Sequence, residues 1–281
     1  MSDVWDNGEG HDDRTGVGTS SVFGRQWRHD MRTGFPLLTT KKVPLRWVFE
    51  ELKWFLSGST KESDLSKKGV DIWKEWATAE ECARFGRPAG ELGPIYGHLW
   101  RNFGGWDVNM DCDVPGAGID QIAVLMDDLV KNPNSRRLIV NGWNPETCKL
   151  VALPPCHTMW QMKVHQDGGL SLELTARSID IFLGLPFNIA SYGLLLEMIA
   201  KVTRRHARDL IINFGDLHLY NNHGRQAVEQ FGRTPYDLPT IEFPGIGYFD
   251  APLETLLSIQ WEDIQLSNYK HHPKIEAPVA V

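Results

Sequence analysis

The chain has few cysteines and no pairing pattern among them. Cys82, Cys112, Cys148 and Cys156 form no CxxC unit and only Cys156 has an adjacent histidine, so neither a zinc site nor a disulfide framework is signalled and no metal is expected. The sequence also lacks an apolar run of 18 residues, and its first residues carry no charged-then-apolar leader. Membrane spanning and export are therefore not expected, and a reduced cytoplasm fits best. Positive charge is scarce too. With 29 Lys and Arg against 36 Asp and Glu the net charge is −7, which argues against a protein whose main task is holding nucleic acid. Any anionic ligand must then be met by arginines placed locally.

What is present is ample core material: 281 residues, 42% of them apolar, with 11 Trp and 12 Phe, enough for one large domain or two small ones. The stretch that stands out is Ala152, Leu153, Pro154, Pro155, Cys156, His157. Two successive prolines fix φ and remove two amide donors, so the backbone entering Cys156 should be extended and stiff. A thiol presented in that way suits a nucleophile. A free cysteine is also among the most buried residue types and often serves only as a small hydrophobe, and spacing alone does not separate the two readings.

Residues 1–13 are polar and Gly-rich without helical or strand period and read as a loose arm. The run 13–19 places Gly16 and Gly18 beside Arg14, either as an anion loop or as an ordinary turn before a strand around 20–23. After Pro44, apolar residues at 45, 48, 49, 52, 55 and 56 repeat at helical spacing up to Gly58, with Glu51 near the edge of the apolar face. Trp73 and Trp76 follow, then a polar segment, 77–91, that reads as a surface excursion. Gly93 to Gly97 is turn chemistry around Tyr96. The aromatic residues that follow suit either a core or a stacking surface.

A second helix is predicted from 119 to Asn132–Pro133, then the pair Arg136 and Arg137, then a short strand at 138–140. A hairpin joins strands 158–165 and 170–175 at Asp167-Gly168-Gly169, delivering Arg177, Ser178 and Asp180. Gly184, Pro186 and Asn188 break regularity before 189–202, apolar nearly all round and so a buried central helix. A strand at 209–214 leads to His218 and Tyr220, which in a strand would point to the same side. Further strand-like runs are 240–243 and 263–267, and the apolar tail 277–281 reads as a segment that packs down.

The motifs at 153–157, 177–192 and 215–220 closely resemble the thymidylate synthase family, and the resemblance runs from 13–16 to the terminal 277–281. It implies a single α+β domain with a large mixed β-sheet and a buried central helix. It also implies a homodimer that converts dUMP to dTMP with 5,10-methylenetetrahydrofolate as carbon donor and reductant. The family also contains nucleotide hydroxymethylases, so a dUMP hydroxymethylase is an alternative, and a nucleotide- or RNA-binding protein without catalysis is a third.

By the same resemblance Cys156 is the nucleophile that adds to carbon 6 of uracil, and Arg177 lowers its pKa. Arg14, Arg177 and Ser178 match phosphate contacts within one subunit, and Arg136 and Arg137 match those reaching from the partner. Asn188 reads the uracil edge, and His218 with Tyr220 binds the ribose hydroxyl. Glu51, His157 and Tyr96 form the proton-transfer network. Asp180 belongs with the catalytic, nucleotide and folate residues; Trp73, Leu183, Gly184 and Phe187, with Ala280 and Val281 of the closing tail, match the folate side. Thr175 and Ala176 stand where many members carry Tyr and Gln, and the N-terminal arm is shorter and more polar than the helix that usually opens the family fold.

Overall fold

Leucine alternates at positions 170, 172 and 174, and all three side chains are fully buried, as a strand with one face in the core requires. The computed structural model describes residues 1–13, 15–247 and 251–279 and sets this strand inside a six-stranded sheet. The strands in chain order are β1 (Glu9–His11), β2 (Thr19–Asp30), β3 (Trp106–Asp107), β4 (Cys112–Asp113), β5 (Ile139–Asn141), β6 (His157–Val164), β7 (Gly169–Asp180), β8 (His206–Tyr220), β9 (Thr240–Glu242) and β10 (Gln265–Ser267). The large sheet has the order β1-β2-β8-β7-β6-β5, while β3 with β4 and β9 with β10 form separate pairs. Only β7 and β8 run parallel in the large sheet, which makes it mixed.

Parallel neighbours need a crossover, and a helix supplies it. The helices are α1 (Ser2–Asn7), α2 (Leu45–Ser57), α3 (Ser63–Ser66), α4 (Ala79–Ala83), α5 (Tyr96–Arg101), α6 (Gln121–Lys131), α7 (Gly184–Val202), α8 (Gly224–Phe231) and α9 (Pro252–Ser258). The crossover is α7, and Leu194, Leu195, Leu196, Met198 and Ile199 on it are all fully buried against β7, β8, α2 and α9. Each such side chain contributes roughly 1.5–3 kcal/mol. By length and composition α7 would also suit a membrane, but most of it lies inside the protein. In α2 the predicted apolar face is buried, and Gly58 ends the helix with a left-handed φ of 80°. The result is a single mixed α+β domain.

Several expectations need correction. Residues 1–13 are not a loose arm: α1 and β1 form there, Val4 is fully buried, Asp3 pairs with Arg25 at 2.7 Å, and β1 joins the edge of β2. A six-residue helix is too short to show a period, and its partners lie on β2 and β8. Nor is 77–91 a mere surface excursion, because Thr78 caps α4 and both Cys82 and Arg87 are buried. Pro186 and Gly184, read as breaks, lie in the first turn of α7, where a missing amide donor costs no hydrogen bond. Strand β8 does not stop at Phe214 but runs through Gly215. A Cβ there would lie 2.6 Å from the Arg177 carbonyl oxygen, so only glycine lets the two strands pair at this point.

If the N-terminal segment is docked as described, Val4→Ala should lower stability by roughly 2 kcal/mol, read as the shift of a urea unfolding curve. An unshifted curve would restore the loose arm.

Candidate active site

Cys156 stands at the end of a loop, immediately before β6. Neither preceding proline has an amide to donate, so the loop is held through its carbonyls and through the first amide after them. Arg177, on β7, donates from Nε to the Pro155 carbonyl at 2.9 Å and from Nη2 to the Pro154 carbonyl at 2.8 Å. Its own amide donates to the Cys156 carbonyl at 2.9 Å. The Cys156 amide donates to the hydroxyl of Tyr96 on α5 at 2.7 Å, and the His157 amide reaches the same oxygen at 3.4 Å. Tyr96 and Arg177 thus grip the backbone around Cys156 from two different elements.

Burial sets the protonation of the groups around this mount. It pushes the Cys156 thiol up, and the nearby Arg177 charge pulls the other way without overcoming it. The expected influence of Arg177 is present, but the net direction is upward. Burial likewise raises the Glu51 carboxyl to about 7, with the Trp73 indole nitrogen donating to it at 2.7 Å and opposing the shift. Burial lowers His157 to about 4, with the Asn188 side chain opposing, so the imidazole is neutral at pH 7. Tyr96 is raised and remains a phenol.

A cleft of about 1260 Å³ opens over Cys156. Its walls include Glu51, Trp73, Tyr96, His157, Arg177, Ser178, Asp180, Leu183, Gly184, Phe187, Asn188, His218 and Tyr220. His218 and Tyr220 do point to the same side, with ring centroids 5.1 Å apart, and His218 Nδ1 lies 2.7 Å from Asp216. Asp180 accepts from the amides of Phe182 at 2.8 Å and Leu183 at 3.1 Å, so it also shapes the turn into α7. Arg136 and Arg137 are exposed and do not line this cleft. Arg14, Ala280 and Val281 lie outside the described residues, although the neighbours Asp13, Thr15 and Val279 line the cleft. Among the described residues no group of three or more His, Cys, Asp or Glu is disposed to hold a metal ion.

Other contributors gave no local signal. The Trp143 ring lies 5.4 Å from the Arg177 guanidinium. Lys41 donates to the Phe182 carbonyl at 2.5 Å; burial lowers its pKa to about 8, against the pull of Asp180. His223 is fully buried and its Nε2 lies 2.8 Å from the Pro278 carbonyl, which fixes the chain just before Val279 at the cleft. For Lys41 and His223 the partners are more than fifty residues away in sequence.

A held thiol, a carboxyl of raised pKa and a neutral imidazole converging on a deep cleft are the equipment of an enzyme that works by covalent catalysis. The sequence model of a protein family described as Thymidylate synthase matches residues 1–281. The chain belongs to the thymidylate synthase family, whose members act on nucleotides by one-carbon transfer with methylenetetrahydrofolate as co-substrate.

Glu51 offers a test of the site's electrostatics. Its carboxyl ionises near 4.5 when unfolded and near 7 when folded, so the unfolded chain loses its proton first and stability falls as pH rises between those values. Wild-type protein should lose on the order of 2 kcal/mol across that window that Glu51→Gln does not lose. Urea unfolding of both at about pH 5 and about pH 7.5 reads the difference; parallel changes would contradict the raised pKa.

Proposed function

We propose that the protein is a thymidylate synthase, converting dUMP to dTMP. The observation that carries the reading is the meeting of Cys156, Arg177 and Asn188 in one cleft, in a chain of this family. Carbon 5 of uracil is a weak nucleophile. Addition of the Cys156 thiolate to carbon 6 moves the ring electrons toward O4, and carbon 5 can then take up the one-carbon unit. Asn188 donates to O4 and accepts from N3–H, which selects uracil over cytosine. Ser178 and Arg177 meet the phosphate with Arg14, and His218 with Tyr220 takes the ribose hydroxyl.

Glu51, His157 and Tyr96 handle protons at O4 and carbon 5. A carboxyl near pKa 7 both gives and takes a proton at neutral pH, whereas neutral His157 serves as a hydrogen-bond partner rather than a charge. The reduced folate supplies the one-carbon unit and the hydride, and Trp73, Asp180, Leu183, Gly184 and Phe187 with the tail bind it and exclude water. We assign Arg136 and Arg137 to the phosphate site of a partner subunit in a homodimer, a role that suits two exposed arginines outside their own cleft.

Incubation with dUMP and methylenetetrahydrofolate should yield dTMP and dihydrofolate in equal amounts. 5-Hydroxymethyl-dUMP without dihydrofolate would replace the reading by a hydroxymethylase, and tight dUMP binding without turnover would replace it by a binding protein. Cys156→Ser should cut turnover by about a thousandfold or more, with dUMP binding retained. Asn188→Asp should lower the kcat/KM ratio of dUMP over dCMP by about a hundredfold.

A further inference from the structure

The segment 77–91 carries a buried cation. The side chain of Arg87 is only 4% exposed. Its Nε and Nη2 fork onto Asp111 at 2.8 and 2.6 Å. Its Nη1 donates to the Leu92 carbonyl at 3.3 Å and to the Leu150 carbonyl at 2.5 Å. Asp111 also accepts from the Trp106 indole nitrogen at 3.0 Å, and it is held at a φ of 47°, a left-handed conformation that an aspartate tolerates. The guanidinium lies against Gly93, where a Cβ would stand 2.0 Å from Nη1. One side chain therefore ties together the segment 77–91, the turn between β3 and β4, the turn before Tyr96 and the loop that leads to Cys156.

The residues next to these ties are cleft residues. Arg84 and Phe85 precede Arg87, Cys148 and Lys149 precede Leu150, and all four line the cleft. The same wall continues to Trp76, whose carbonyl lies 4.0 Å from Cys82 Sγ and whose ring packs against Trp73. Ser178, His218 and Tyr220, assigned above to the nucleotide, stand on β7 and β8, which none of the Arg87 hydrogen bonds reaches. A planar fork with five donors suits such a junction, since an ammonium cannot meet a carboxylate and two carbonyls in one plane.

We infer that Arg87 is a positioning residue whose buried fork sets the wall of the cleft that receives the reduced folate, leaving the nucleotide side to the sheet. The ligand assignment rests on the proposed function; the mechanical role does not. Two measurements on the full-length protein test it: dissociation constants for methylenetetrahydrofolate and dUMP, each read by tryptophan fluorescence, and the alkylation rate of buried Cys82, read by peptide mass spectrometry.

In Arg87→Gln the folate constant should rise about tenfold and Cys82 labelling should speed up about tenfold, while the dUMP constant stays within about twofold. Asp111→Asn, which weakens the fork from its more exposed partner, should move the same readings in the same direction and serves if Arg87→Gln does not fold. Unchanged folate binding, unchanged Cys82 labelling, or folate and dUMP weakened equally would overturn the inference. Turnover of the wild type, measured alongside, reports on the proposed reaction separately.

Discussion

The structure depends on the way the backbone around Cys156 is held. Pro154 and Pro155 stiffen the chain but offer no amide, so the loop is secured by what remains: three carbonyls that accept from Arg177 and two amides that donate to the Tyr96 hydroxyl. Those two partners come from different layers. Arg177 is on the central sheet, whose parallel step is sealed by α7, and Tyr96 opens α5, which packs against α2. Much of the core can be read as the support that brings these two side chains to one short loop. Gly215 contributes by omission, since any side chain there would push β8 off the Arg177 backbone.

The second constraint is burial. It favours the uncharged forms of Cys156, Glu51, His157 and Lys41, each shifted in the direction that desolvation dictates. Arg177 and the Trp73 indole act against the trend at Cys156 and at Glu51. The cleft thus combines a protonated thiol with a carboxyl poised near neutrality, a pairing suited to chemistry in which ionisation accompanies ligand binding.

Much of this was legible in the sequence where periodicity or chain proximity carries the information. The apolar spacing of α2 and the all-round apolarity of α7 marked the core helices, Gly168 marked a hairpin, and alternation put His218 and Tyr220 on one side. Cys156, His157, Arg177, Ser178, Asp180 and Asn188, all drawn from the motifs, line one cleft. What escaped notice depends on partners distant in sequence. Val4 looked like part of a polar arm because its packing partners lie on other elements, and Arg87 looked like surface because Asp111 and Leu150 lie 24 and 63 residues away. His223 and Lys41 were missed for the same reason.

In the reaction we propose, Cys156, and no other thiol, forms a bond to the pyrimidine. A dUMP analogue bearing fluorine at carbon 5 lacks the proton that must leave, so the reaction should halt with the ring still attached to the protein. Mass spectrometry of protein treated with this analogue and methylenetetrahydrofolate should find one nucleotide and one folate added to the peptide that contains Cys156. No adduct, or an adduct on the peptide of Cys148, would contradict the account.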